Sequence, residues 1–454
     1  MKTIHTVHSF RVYFGIGSHR MFINRDYRRL WLGHTAAQFG DAVFVTAVLI
    51  WVADALKDSP HAPAAGGAIV ALSTAATLLV APFAGVVVDR SGDKRAVMLR
   101  TDALRCAAIA SVCLLSILPR QAIPPWALGV ALGLAVALVA GAGQFFNPAR
   151  FIVVRDIVPK TQYGRASSFT QGSAAIAMIL GPAVAAPLTV ATGVTAALAI
   201  NASTFLVSYL AIRTMSLPVL HAEPETPSER GTAARSVAAG LRTVATTSTI
   251  RAVLVTGMVV MAGAGAVTAL NVFFVQENLG ADPAWYGYVS SGMGAGLLLG
   301  AVAAGFVGDR VGHPRVLRFA LAGCALALAV YSRMDDAWSA VLVIGLYGVC
   351  AGAVETVVAP LLLADTPRAF LGRISAVFVP AMRVASMLSA AAAGVIAGGL
   401  PTGFSVSVLG IDFGRIDAVY AASALLLALG ALYASFAFRS RNRHPDRVAA
   451  VRDE

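Results

Sequence analysis

Twelve apolar runs, each close to the ~20 residues that a helix needs to cross a bilayer, divide this chain of 454 residues. They lie near residues 30–53, 66–88, 96–118, 126–147, 166–188 and 193–213, and, after a polar break, near 252–275, 285–307, 315–333, 338–364, 374–398 and 417–438. Hydrocarbon offers no water to a backbone N–H or C=O, so each run is expected to become a helix that makes its hydrogen bonds internally. Hydrophobic residues make up 57% of the chain and charged residues 13%, against about a quarter charged in a soluble domain. The fold class expected is an all-α membrane protein with twelve transmembrane helices.

The charges test this arrangement independently. With the N-terminus placed in the cytoplasm, 29 of the 35 Lys and Arg residues fall on the inner side. The outer loops hold only Lys57, Arg120, Arg333 and Arg415, and Arg105 and Arg383 fall within helices. Such an excess places both termini inside. It also accounts for the net charge of +12, which in a soluble protein would suggest nucleic acid, a partner not expected here.

The organisation expected is a cytoplasmic tail over 1–29, a six-helix bundle over 30–213, a cytoplasmic linker over 214–251, a second six-helix bundle over 252–438 and a basic cytoplasmic tail over 439–454. The linker contains Pro218, Pro224 and Pro227 among acidic residues. Its end reads either as a solvated segment or as a short interfacial helix presenting Val237, Leu241 and Val244 to lipid. No cleavable signal peptide is expected, since the first apolar run is long enough to span. Met21 is a candidate alternative start, which the intact mass of native protein rejects if the first 20 residues are present.

An internal duplication relates the halves. Gly85, Asp89, Arg90, Gly92 and Arg95 recur 220 residues later as Gly305, Asp309, Arg310, Gly312 and Arg315, with Pro314 replacing Lys94. This G-x-x-x-D-R-x-G-x-K-R stretch between the second and third helices resembles the signature loop of the major facilitator superfamily. The resemblance extends over most of residues 24–438. Leu30-Trp31-Leu32-Gly33 followed by Gln38-Phe39-Gly40-Asp41 resembles the branch of macrolide-efflux proteins and enterobactin exporters. Asp102-Ala103-Leu104-Arg105, Phe145-Phe146-Asn147-Pro148-Ala149 through Val158-Pro159, Gly181-Pro182, Thr366-Pro367 and Leu371-Gly372-Arg373 are similar to further stretches of that branch.

The resemblance implies two pseudo-symmetric bundles, alternating access, and proton-driven export of a hydrophobic or amphipathic small molecule. It implies that Asp89 meets the start of the eleventh helix near Arg373 and holds the cytoplasmic side closed. Gly85 and Gly92 would allow close approach and a tight turn, and Arg90, Lys94 and Arg95 would contact lipid phosphates or acidic partners, or merely set topology. Gly181-Pro182 would kink the fifth helix. Rival readings are a transporter of a siderophore, lipid or metabolite in either direction, and a transport-inactive sensor.

Charges within the membrane are costly and are normally paired or functional. Asp41, about 16 Å deep at 1.5 Å per residue, has no cation near it in sequence and is the first candidate for a proton or cationic-substrate site, against a structural hydrogen bond. Glu355 and Arg383 lie ten residues from Asp365 and Arg373, at the ends of adjoining helices. Both are thus about 15 Å from one face, where a fixed or a switchable ion pair is expected. Asp102 and Arg105, three apart, suggest an intrahelical pair in the gate network. His34, Gln38, Gln144, Asn147 and Asn271, with Phe39, Phe145 and Phe146, are candidate cavity residues. No P-loop, hydrolytic or metal constellation occurs, and Cys106, Cys113, Cys324 and Cys350 lack metal-ligand spacing. An enzyme is therefore not expected, nor any cofactor beyond a proton gradient. The partners expected are a small-molecule substrate and membrane lipids, for a protein working as a monomer in a bacterial inner membrane.

Overall fold

The computed structural model describes residues 23–57, 59–118, 124–216, 242, 247–365, 371–401, 403–408 and 410–439. The segment 237–244, read above as solvated or interfacial, lies outside them apart from residue 242. The described residues form twelve long α-helices: α1 Arg25–Ala55, α2 Ala62–Arg90, α3 Lys94–Ile117, α4 Pro125–Ile157, α5 Tyr163–Thr192, α6 Val194–Arg213, α7 Ser248–Glu277, α8 Trp285–Val311, α9 His313–Tyr331, α10 Ala337–Asp365, α11 Leu371–Gly399 and α12 Arg415–Arg439. Eleven contain a segment long and apolar enough to span a membrane; α3, which carries Arg100, Asp102 and Arg105, does not.

Two boundaries differ most from the hydropathy reading. α1 starts at Arg25 because Asn24 caps it, its side-chain oxygen accepting from the Tyr27 N–H at 2.7 Å. α4 runs ten residues past the expected end, through Pro148 to Ile157. A proline inside a membrane helix removes one donor, and neighbouring groups tolerate the gap. The Asn24 amide in turn donates to the Ile157 carbonyl at 2.6 Å, joining these two helix ends. A short antiparallel hairpin, β1 Ser405–Val408 with β2 Ile411–Gly414, connects α11 to α12 and turns at Gly410, whose φ is 78°.

Helix neighbours follow the order α2–α4–α3–α6–α1–α5 in the first half and α8–α10–α9–α12–α7–α11 in the second. The second order is the first shifted by six helices, so the duplication extends from the loop to the packing. Contacts of α5 with α8 and of α11 with α2 join the halves.

Glycine sets several of these crossings. Between α8 and α10, a Cβ at Gly296, Gly300, Gly348 or Gly352 would lie 1.9–2.2 Å from a carbonyl oxygen of the facing helix. Backbones can approach this closely only where side chains are absent. Between α2 and α11, a Cβ at Gly67 would meet the Ala390 carbonyl at 2.5 Å; between α5 and α8, one at Gly287 would meet the Pro182 carbonyl at 2.1 Å.

Gly300→Ala, aimed at the Val349 carbonyl, is expected to cost about 1–3 kcal/mol through overpacking. Gly85→Ala, with nothing within 4 Å, is expected to be neutral or stabilising by up to about 1 kcal/mol through helix propensity. Thermal unfolding in detergent measures both.

Candidate transport pathway

The duplicated α2–α3 and α8–α9 loops define one end of the bundle, the signature face. The halves meet towards the other end. Ala62, Pro63, Gly66 and Gly67 at the start of α2 are buried, Gly66 lying against Phe273 of α7 and Gly67 against Gly394 of α11. Towards the signature face, the same helix leaves Leu79 70% and Phe83 69% exposed, and Val86 and Val87 half exposed. In α8, Leu299, Val302 and Phe306 are likewise exposed. The inter-half packing is therefore concentrated away from the signature loops.

Within the first loop, Asp93 caps α3 by accepting from the Ala96 N–H at 2.9 Å. The Lys94 ammonium donates to the carbonyls of Val88 at 2.6 Å, Asp89 at 3.0 Å and Ser91 at 2.5 Å. These are carbonyls at the C-terminal end of α2, where a cation satisfies unpaired acceptors and complements the helix dipole. Arg95 donates to the Arg213 carbonyl and Arg29 to the Thr214 carbonyl, both at the end of α6. Lys94 and Arg95 thus act on backbone, and Lys94 also acts electrostatically on the acidic Asp156 at the end of α4. Asp89 and Arg90 are exposed. No Cβ contact would arise within 4 Å at Gly85, Gly92 or Gly305, so the expected close approach is not made in this conformation. In the second copy, Gly312 adopts φ 94° after α8, and Arg315 donates to the Val311 carbonyl at 3.2 Å. Arg310 is exposed. The side chains of Asp309 and Arg373 lie outside the described residues.

The first half contains a charged cluster. His34, Gln38 and Asp41 fall at i, i+4 and i+7, hence on one face of α1. Phe146 of α4 is sandwiched, the His34 ring stacking on it at 5.5 Å and the Arg105 guanidinium lying 5.7 Å from its centroid. Arg105 also lies over Phe205 at 5.3 Å, and its Nη2 occupies the space left by Gly143. Its charge acts on Asp41, Asp102 and His34 without forming an ion pair with any of them. Asp41 therefore has a cation in its neighbourhood that its own helix does not supply. Instead of the intrahelical pair expected, the fully buried Asp102 accepts from the Ser208 hydroxyl at 2.6 Å, and its other oxygen has no partner among the described residues. The same holds for the carbonyl oxygen of the Gln38 side chain. Gly181 of α5 packs on Ala42, next to Asp41, and α5 continues as one helix through Pro182 and Pro187.

In the second half, Glu355 and Arg383 are exposed midway along α10 and α11. Arg383 acts electrostatically on Glu355, yet the two form no ion pair, so the fixed pair expected above is not made. At such depth a charge exposed to lipid is costly. Two expected cavity residues lie elsewhere: Phe146 is buried as described, and Asn271 is buried, accepting from the Tyr331 hydroxyl at 2.5 Å.

The sequence profile of the Major Facilitator Superfamily matches residues 30–390 and, again, 253–453. The chain belongs to that superfamily. It is 24% identical over 371 residues to the uncharacterized MFS-type transporter YfiS of Bacillus subtilis, covering 80% of this chain and 84% of the relative. It is 26% identical over 315 residues to the multidrug resistance protein MdtG of Enterobacter lignolyticus, covering 68% and 70%. Among solved structures, a mutant of the nucleoside transporter NupG superposes with a TM-score of 0.70 at 14% identity, covering 91% of this chain and all of that one. A bacterial homologue of the iron transporter ferroportin gives 0.70 at 13% identity, covering 91% and 98%.

As a member of this superfamily the chain is a membrane transporter, and several residues around its charged cluster were not legible in sequence. Ser208, Phe205 and Gly143 carry no charge, and only the fold places them around Asp102 and Arg105. Ser208→Ala, which leaves the buried Asp102 carboxyl without a donor, is expected to destabilise the protein by about 1–3 kcal/mol. Ser203→Ala on the same helix, an exposed hydroxyl bonded only to the Ile200 carbonyl of its own helix, is the near-neutral control in the same thermal assay.

Proposed function

We propose that this transporter exports hydrophobic or amphipathic small molecules from a bacterial cell in exchange for protons, by alternating access. One observation carries the reading: a histidine, a glutamine and an aspartate share a stripe of α1 beside Arg105, in a bundle whose halves pack together mainly away from the signature loops. The charge bias places those loops in the cytoplasm, which makes this conformation inward-facing. Outward opening would then bring the signature ends together, with Asp89 meeting the start of α11 and with Gly85 and Gly92 providing the room. Efflux of drug-like compounds is supported by the multidrug resistance relatives, whose similarity is low. Asp41 is the proposed proton site. Arg105 of α3 is the cation in its neighbourhood.

The test is transport in liposomes under an imposed pH gradient, using a panel of lipophilic cations and macrolide-like compounds. The gradient is expected to drive efflux by the wild type and to lose that effect in Asp41→Asn. Substrate movement that ignores the gradient in the wild type would remove proton coupling and leave a facilitator or a differently coupled carrier.

A further inference from the structure

The face opposite the signature loops carries a polar network that the transport reading leaves unused. Glu277 is the last residue of α7 and Arg415 the first of α12. Each is at the wrong end of its helix: an anion is disfavoured at a C-terminus and a cation at an N-terminus. The two satisfy one another. Arg415 Nε donates to Glu277 Oε2 at 2.9 Å and Nη2 to Oε1 at 2.5 Å, a bidentate pair, while the Arg415 side chain is only 5% exposed. Its remaining nitrogen, Nη1, donates at 3.2 Å to the carbonyl of Pro60, in the loop between α1 and α2. Glu277 and Arg415 belong to the second half and Pro60 to the first, so the hydrogen bond crosses the division between them.

The surroundings fix Arg415 in place. Asp417 accepts from the Gly414 N–H at 3.1 Å and from the Asn278 amide, and lies 3.6 Å from Arg333. Arg333 also donates to the Asp412 carbonyl at 2.9 Å and covers Phe413. The β-hairpin and the first turn of α12 are thereby tied to the end of α7, which aims the guanidinium at Pro60. The network also accounts for two of the four cations that oppose the overall charge bias.

We infer that Arg415, clamped by Glu277, is the latch that holds the halves together on this face, and that opening it is a step of the transport cycle. The inference rests on the alternating-access reading. A guanidinium has five donors in a rigid fork, so one side chain can grip a carboxylate in its own half and still reach a carbonyl in the other. A bond to a backbone carbonyl is reversible: when the halves part, water replaces Pro60 while the pair with Glu277 persists. The latch therefore resets without rebuilding a salt bridge.

Hydrogen exchange of the full chain in detergent tests this. In Arg415→Ala, and in Glu277→Gln/Arg415→Ala, which leaves no unpaired charge, exchange over residues 59–68 and 390–399 is expected to rise about tenfold, the scale of one lost charge-assisted hydrogen bond. Exchange over residues 83–96 at the signature face is expected to fall, because freeing one face lets the other close. Arg415→Lys, which keeps the charge and lacks the fork, is expected to lie between, and stands in if the alanine variants fail to fold. Unchanged exchange at both faces, or a rise at both, overturns the latch. Transport assayed on the same variants separates the two ideas: a reciprocal shift with no transport in the wild type retains the latch and discards the transport reading, and normal transport with unshifted exchange does the reverse.

Discussion

The two main crossings between the halves of this protein are α5 against α8 and α2 against α11. In lipid there is no hydrophobic force between helices, so these crossings depend on close backbone packing and on the few polar bonds beside it. Gly287 over the Pro182 carbonyl and Gly67 over the Ala390 carbonyl provide the packing. Both contacts sit away from the signature loops. A joint placed towards one end of long helices leaves the other ends free to part or to meet, which is a property that a two-state transporter needs.

The treatment of charge differs between the halves. In the first, Asp102 and Arg105 are buried and held by Ser208 and by two aromatic rings. In the second, Glu355 and Arg383 are exposed and unpaired. A buried charge must be accommodated by its own half in every conformation, whereas an exposed one is free to meet a ligand or to find a partner as the opening changes shape. The asymmetry arises on a backbone arrangement that is otherwise repeated six helices later.

The signature loop acquires a physical account from its hydrogen bonds. Lys94 ends α2 by taking two of its last carbonyls and that of its C-cap Ser91, Asp93 begins α3, and Arg95 ends α6. The second copy, having Pro314 in place of Lys94, closes α8 with Gly312 and Arg315 instead. The two loops thus solve the same problem, the unsatisfied end of a long helix, with different residues, and this explains how the second copy can be degenerate and still fold.

The number of helices, their order, the internal repeat and the class of protein followed from sequence alone, because a twenty-residue apolar run has one stable form in a bilayer and because an offset of 220 residues is a purely linear fact. The stripe of His34, Gln38 and Asp41 was also legible, being fixed by helical period. What lies opposite that stripe was not. Arg105 appeared destined for Asp102, three residues away, and the fold instead turned it between Phe146 and Phe205 and gave Asp102 to Ser208, which is 106 residues distant. Glu355 and Arg383 appeared to be a pair from their equal depth, yet depth fixes only one coordinate, and α10 and α11 are not neighbours in the packing order. The tie from Arg415 to Glu277 and Pro60 spans 138 and 355 residues. Local sequence determines where a helix starts, ends and turns its faces; which faces meet depends on the packing of all twelve, and only the tertiary structure decided that.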